Sequence, residues 1–220
     1  MVPRAFVAAL LLATALLVPS YGRSADWTFS EAELARLGQG GVLVAADVAS
    51  DRSTGDIRAA VQIRAPAERI FRALTECSEV LAYVPHLERC AVLETAPDDS
   101  WQVVEHHIHY GWFMPDAYYV IRADYERYTR IRFDNVRGDF RENRGQWELQ
   151  PVEDGKAVIV TYRVHVVPRF YVPRWILRSA IKRDLPELMT ALRAHAEAPE
   201  PAAPEPAAAA VPRVGDLRPR

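Results

Sequence analysis

From residue 90 to residue 167 the chain reads as six strand-like runs, near 90–96, 101–112, 117–125, 128–136, 144–151 and 157–167. Short turn signals join them at PDDS, MPD, GDFRENRG and EDG. Connections that short make successive strands antiparallel neighbours. One long amphipathic segment follows, PRWILRSAIKRDLPELMTALRAHAEA, with Leu177, Ile181, Leu185, Leu188 and Leu192 on one apolar stripe. Pro186 lies inside it, where a kink or break is expected. A sheet with a single terminal helix must bury the helix stripe against one of its faces. A curved sheet gripping such a helix leaves a gap suited to a ligand.

The upstream segment fits the same α+β plan. Ser30-Glu31-Ala32-Glu33 is a capping box ahead of Leu34 and Leu37, and Gly38 stops that helix. GVLVAADVAS and DIRAAVQIRA are strand-like and are separated by the turn-forming DRSTGD. Ala65-Pro66 opens a helix carrying Ile70, Phe71, Leu74 and Thr75 at helical spacing. A second short helix, 79–83, ends before Pro85.

The two ends of the chain lie outside this pattern. Residues 1–24 have the charged start, apolar run (Ala5–Val18) and small-residue cleavage region of a secretory signal peptide. Fourteen apolar residues fall short of a comfortable membrane span, an uncleaved anchor being the alternative. Cleavage is expected to leave an N-terminus between Arg23 and Asp26, and an exported, periplasmic protein. Residues 198–220 hold six prolines among alanines and read as a disordered tail. That leaves 25–197 as one ligand-binding domain. Removing Arg4 and Arg23 from the 27 basic residues leaves 25 against 29 acidic ones, a balance that argues against nucleic acid as a partner. Cys77 and Cys90 are an even pair in a chain bound for an oxidising compartment, so a disulfide between them is expected; two buried free thiols are the alternative.

The stretch VEHHIHYGWFMPDAYYV raises the question of a metal site at His106, His107 and His109. Side chains alternate faces along a strand, which splits the triplet. Val104, His106, Ile108, Tyr110 and Trp112 share the more apolar face and are assigned inward. Glu105, His107 and His109 share the other. A site from those three on an open strand face lacks the enclosure and supporting shell that metal ligands need, so no metal and no cofactor are expected.

The same alternation extends the inward wall along the later strands. It takes in Ala117, Tyr119, Ile121 and Ala123, then Ile131, Phe133 and Asn135, then Trp147 and Leu149. The last inward set is Val158, Val160, Tyr162, Val164 and Val166. Arg122, Arg130, Arg132, Glu148, Arg163 and His165 fall outside. An aromatic stripe usually fills a dry core. Here tyrosines and a histidine recur on it, and buried hydroxyls and imidazoles need partners, which a ligand can supply.

The stretches VQIRAPAERIFRALTECSEVLAYVPHLERCAVLE, GQWELQPVEDGKAVIVTYRVHV and PRWILRSAIKRDLPELMTALRAHAE resemble the START-like, or polyketide cyclase and lipid-transport (SRPBCC), superfamily, over roughly residues 57–196. The coenzyme-Q-binding-like branch is the nearest in pattern. The resemblance implies a helix-grip fold, a curved seven-stranded antiparallel sheet around the last helix, with two short helices after the first strand. It also implies an elongated apolar cavity for a lipid, quinone, sterol-like or polyketide molecule. The expected ligand-binding residues are His106, Ile108, Tyr110, Trp112, Tyr119, Ile121, Phe133, Trp147, Tyr162, Trp175, Ile181 and Leu185. A monomeric carrier is the leading expectation. The alternative is a cyclase or dehydratase with His106 as acid/base and Tyr110 or Tyr162 as proton donor. Phe170 and Tyr171 beside Arg174 and Arg178 suggest transient membrane docking.

Overall fold

The computed structural model describes residues 27–48, 54–109 and 116–199, without the side chains of 174–177, 179 and 180. The expected signal peptide of residues 1–24, most of the Pro/Ala-rich tail, Tyr110 and Trp112 therefore lie outside the described residues.

Ser30 caps the first helix, α1 (Glu31–Gly38), with both halves of the capping box formed. Two strands follow, β1 (Val42–Val48) and β2 (Gly55–Ile63), paired in register from Val42↔Val61 to Val48↔Gly55. The short helices α2 (Ala67–Thr75) and α3 (Cys77–Tyr83) come next. Six strands then run in succession, β3 (Leu87–Thr95), β4 (Trp101–Ile108), β5 (Ala117–Glu126), β6 (Arg130–Gly138), β7 (Phe140–Val152) and β8 (Ala157–Pro168). The helix α4 (Arg174–Glu197) completes the fold.

All pairings are antiparallel, in the order β1-β2-β8-β7-β6-β5-β4-β3. The sheet thus has eight strands where seven were expected, and the two short helices follow the second strand. The difference is β1, which pairs along Gly55–Val61 of β2 and so extends the sheet by an edge strand. Pro186 does not break α4, which runs on to Glu197. Ile181, Leu185, Met189 and Leu192 are all buried in one cluster with sheet residues, and that packing on both sides of Pro186 offsets the missing backbone donor.

The largest departure from the sequence reading is β7. GDFRENRG reads as a loop, yet only Asp139 separates β6, which ends at Gly138, from β7. Gly138 takes φ 118, and a Cβ there would sit 2.3 Å from the Tyr118 carbonyl oxygen, so the close turn needs glycine. β7 then pairs with β8 from Phe140↔Pro168 to Val152↔Ala157, a backbone ladder that overrides the turn-like composition of the segment.

The core divides into two layers. On the concave side α4 covers Ala59, Val61 and Ile63 of β2 and Val158 and Val160 of β8, all nearly inaccessible. On the outer side Leu37 of α1, with Trp27 and Phe29, covers Leu43, Ala60 and Ile159. At β2 and β8 both faces are therefore buried, which explains their continuous apolar runs.

Candidate cavity site

The solid part of the core ends about halfway along α4. Met189, Leu192 and Ala196, toward its C-terminus, pack without exposure. Ile181, Asp184, Leu185 and Leu188, nearer its N-terminus, instead roof a cavity of about 380 Å³. That volume lies within the range of small-molecule sites, roughly 300–1,000 Å³.

The floor is the alternating face of the sheet. β4 contributes Val104, His106 and Ile108, β5 Tyr119, Ile121, Ala123 and Tyr125, and β6 Ile131 and Phe133. β7 contributes Phe140, Asn143 and Trp147, and β8 Tyr162, Val164 and Val166. Nine of the expected ligand-binding residues thus share one cavity: His106, Ile108, Tyr119, Ile121, Phe133, Trp147, Tyr162, Ile181 and Leu185. Tyr110 and Trp112 are outside the described residues, and of Trp175 only the backbone, in α4, is described. Asn135, expected inward, does not line the cavity; its side-chain nitrogen donates to the Phe140 carbonyl at 3.2 Å.

Several lining residues escaped the sequence reading. Tyr125 continues the period-two series 119, 121, 123, and that series was the signal that could have found it. Phe140 and Asn143 were hidden by the turn-like look of GDFRENRG. Asn143 is only 8% exposed, although it is polar and faces the cavity. Val80, Tyr83, Val84, Pro85, His86, Leu87 and Cys90 form a lip at one side. No periodicity in the sequence shows where a seven-residue helix will swing.

Polar groups in the wall are few and mostly neutral. Burial, and then the charge of His107, push the His106 imidazole down to about 4. Its Nδ1 is buried without a hydrogen-bond partner, and its Nε2 lies 3.7 Å from Cys90 Sγ. An orphaned buried N–H costs more than an orphaned lone pair. The proton therefore belongs on Nε2, directed at the sulfur. Tyr83 and Tyr125 are pushed well above the usual phenol value, chiefly by burial, and donate to the Ala73 carbonyl (3.1 Å) and Gln102 Oε1 (3.0 Å). Tyr162 lies 4.3 Å from Trp147 and 6.2 Å from Phe133, between ring centroids.

The lip is tied to its surroundings at both ends. Cys77, the first residue of α3 rather than the end of the helix before it, is disulfide-bonded to Cys90 on β3, with 5.3 Å between Cα atoms. In the middle of α3, Glu79 Oε2 accepts from Arg69 Nη1 (2.7 Å) and from His195 Nε2 (2.6 Å), joining α2, α3 and α4. Burial pushes the Glu79 carboxylate up. The hydrogen bonds and charges of His195 and Arg69 outweigh it and hold the group below its ordinary range.

The remaining histidines of the stretch behave as surface residues. His107 Nε2 meets Glu105 at 3.2 Å, and His109 Nδ1 meets Asp116 at 2.5 Å. Among the described residues no group of three His, Cys, Asp or Glu side chains is placed to hold a metal ion. The outward residues expected to be solvated also pair with one another: Arg163 and Arg130 with Glu148, Arg132 with Glu126, and Arg122 with Asp124. Phe170 is 40% and Tyr171 80% exposed, and Arg178 is exposed. The Arg174 side chain is outside the described residues.

Comparison with known proteins points the same way. A family model described as polyketide cyclase / dehydrase and lipid transport matches residues 63–193. The fold is similar to that of a STAR-related lipid transfer protein from Xanthomonas axonopodis, at 22% identity and TM-score 0.62, over 72% of this chain and 94% of that one. It is also similar to the ZhuI aromatase/cyclase of Streptomyces sp. R1128, at 17% identity and TM-score 0.56, over 66% and 94%. Human STARD10 matches at 13% identity and TM-score 0.58, over 71% and 69%. No curated protein matches the chain in sequence.

Proposed function

This chain belongs to the polyketide cyclase / dehydrase and lipid transport family, and from that premise we propose that it is an exported carrier that holds a hydrophobic small molecule, a lipid, quinone or sterol-like compound, between its sheet and α4. The observation that carries the reading is the cavity's chemistry: an aromatic and aliphatic wall interrupted by a few polar side chains, with Asp184 at the roof as the carboxylate among them. Such a site gains affinity from apolar area removed from water, at ~25 cal/mol per Å². Tyr119 and Tyr162 would orient the ligand, with the His106 ring face as part of the wall. Export rests on the signal-peptide pattern of residues 1–24, and an apolar molecule in an aqueous compartment needs shielding.

Transient membrane contact belongs to the same proposal. The cavity occupies the end of the sheet where β8 runs into α4, and Phe170 and Tyr171 stand exposed in that connection. Arg178 and Lys182 are exposed on the first half of α4. Aromatic rings favour the interface of a bilayer and cations its anionic headgroups.

The cyclase reading asks His106 to move a proton. An imidazole held near 4 is neutral at ordinary pH but a weak base, and its Nδ1 is walled off. Binding without turnover is the better fit. Native mass spectrometry and organic extraction of protein from its own cell envelope test the proposal. We expect a bound apolar molecule released unchanged. Recovery of substrate and a cyclised or dehydrated product would overturn it in favour of the enzyme.

A further inference from the structure

Seven lining residues of the cavity, Val80, Tyr83, Val84, Pro85, His86, Leu87 and Cys90, lie in the span that the Cys77–Cys90 disulfide, at a sequence separation of 13, closes into a ring. Its helix, α3, has no side-chain cap at its N-terminus and buries fully only Val80. Its return passes through His86 in a left-handed conformation, φ 63. It ends in β3, an edge strand paired with β4 alone and interrupted by register shifts at Leu87/Arg89 and Val92/Glu94. Non-covalent ties hold it at Glu79, at the Tyr83 hydroxyl, and where His109 N–H donates to the His86 carbonyl at 2.9 Å. The disulfide is the covalent tie between the start of α3 and the edge strand, and Cys90 itself lines the cavity.

We propose that the Cys77–Cys90 bridge is a redox latch on this lip: oxidised it keeps the cavity shut around its content, and reduced it lets α3 swing from β3 so that the ligand exchanges. The inference rests on the ligand-binding reading above. The chemistry is thiol–disulfide exchange with a dithiol. One thiolate of the reductant attacks a bridge sulfur and displaces the other. The reductant's second thiol then closes its own disulfide, leaving Cys77 and Cys90 as thiols. The Nε2 of His106, 3.7 Å from Cys90 Sγ, faces the sulfur that is released into the wall. A latch changes the height of the barrier to passage more than the fit of the closed site. Its signature is therefore a parallel rise of association and dissociation rates.

Stopped-flow fluorescence with N-phenyl-1-naphthylamine tests this on the full mature protein, oxidised, reduced with dithiothreitol, and as Cys77→Ser/Cys90→Ser. We expect both rates to rise about tenfold without the bridge while Kd moves less than about threefold. Unchanged rates in a reduced protein that keeps its far-UV circular dichroism overturn the latch. So does a faster dissociation with unchanged association, which marks a merely damaged site. Should the protein lose its fold on reduction, Glu79→Gln in the oxidised chain decides, because it loosens the same lip from α2 and α4. Faster exchange in both directions supports the gate, and wild-type rates overturn it. A probe that fails to bind the oxidised protein removes the carrier reading and the latch together, whereas binding with redox-independent rates removes the latch alone.

Discussion

The imidazole of His106 stacks on the ring of Tyr119, centroids 5.1 Å apart and planes inclined by 29°, across a directly paired position of β4 and β5. The pair sits in the cavity floor beside the Cys90 sulfur, where burial disfavours a charge on the imidazole.

Acid should therefore weaken the fold through His106. Its value near 4 in the folded chain lies below the ordinary 6.5, so the unfolded chain takes up the proton first. The stability contributed by the neutral ring is fully present above pH 6.5 and is lost as pH falls toward 4. Over that window, wild type should lose on the order of 3 kcal/mol relative to His106→Phe. Urea denaturation of both proteins across the window checks this, and parallel pH profiles would remove His106 as the source.

Trp147 and Leu192 separate the hollow half of the domain from the solid half. Leu192, on the sheet-facing side of α4, is fully buried, and Leu192→Ala should cost about 3–5 kcal/mol. Trp147 already borders empty volume, as Phe133 does. We expect Trp147→Ala to cost less, about 1–3 kcal/mol, and to weaken probe binding several-fold. Denaturant melts and a fluorescence titration measure the two effects. An equal stability loss with unchanged probe affinity would assign Trp147 to the solid core.

Gly145 lies within β7, paired directly with Phe133 of β6 and Val164 of β8. A Cβ there would sit 2.1 Å from the Arg163 carbonyl oxygen and 2.7 Å from the Phe133 ring. Gly145→Ala should lower stability by about 2–3 kcal/mol, because either the β7–β8 ladder or the cavity floor must shift. A thermal melt superimposable on wild type would show that the strand relaxes there freely.

Membrane docking is tested by co-sedimentation with phosphatidylglycerol vesicles at low and high salt. Phe170→Ser/Tyr171→Ser should weaken partition at both salts, whereas Arg178→Glu/Lys182→Glu should weaken it roughly tenfold at low salt and little at high salt. Identical partition of all three proteins at both salts counts against any lipid contact through this connection.

Much of this architecture is legible in local pattern. The Ser30 capping box, the alternation that sends His106 inward and His107 outward, and the stripe Ile181–Leu185–Leu192 all concern residues within one element. Periods of 2 and 3.6 residues are properties of the backbone itself, so they survive whatever else packs nearby. The same logic fails at GDFRENRG. Composition there says turn, while a long-range ladder to β8 makes it strand and turns Phe140 and Asn143 toward the cavity.

Within the strands that local pattern marks, the sequence by itself determined which side chains face the inner layer, because alternation is decided by the chain's own geometry. Only the tertiary structure decided where that layer is full and where it is hollow. Leu192 and Leu185 belong to one helical stripe, yet one is sealed in solid packing and the other roofs a cavity. The volume beneath each is set by β2 and β8 in the first case and by the positions of β7 and α3 in the second. Those elements are far apart in the chain, and no local period carries the distance between them.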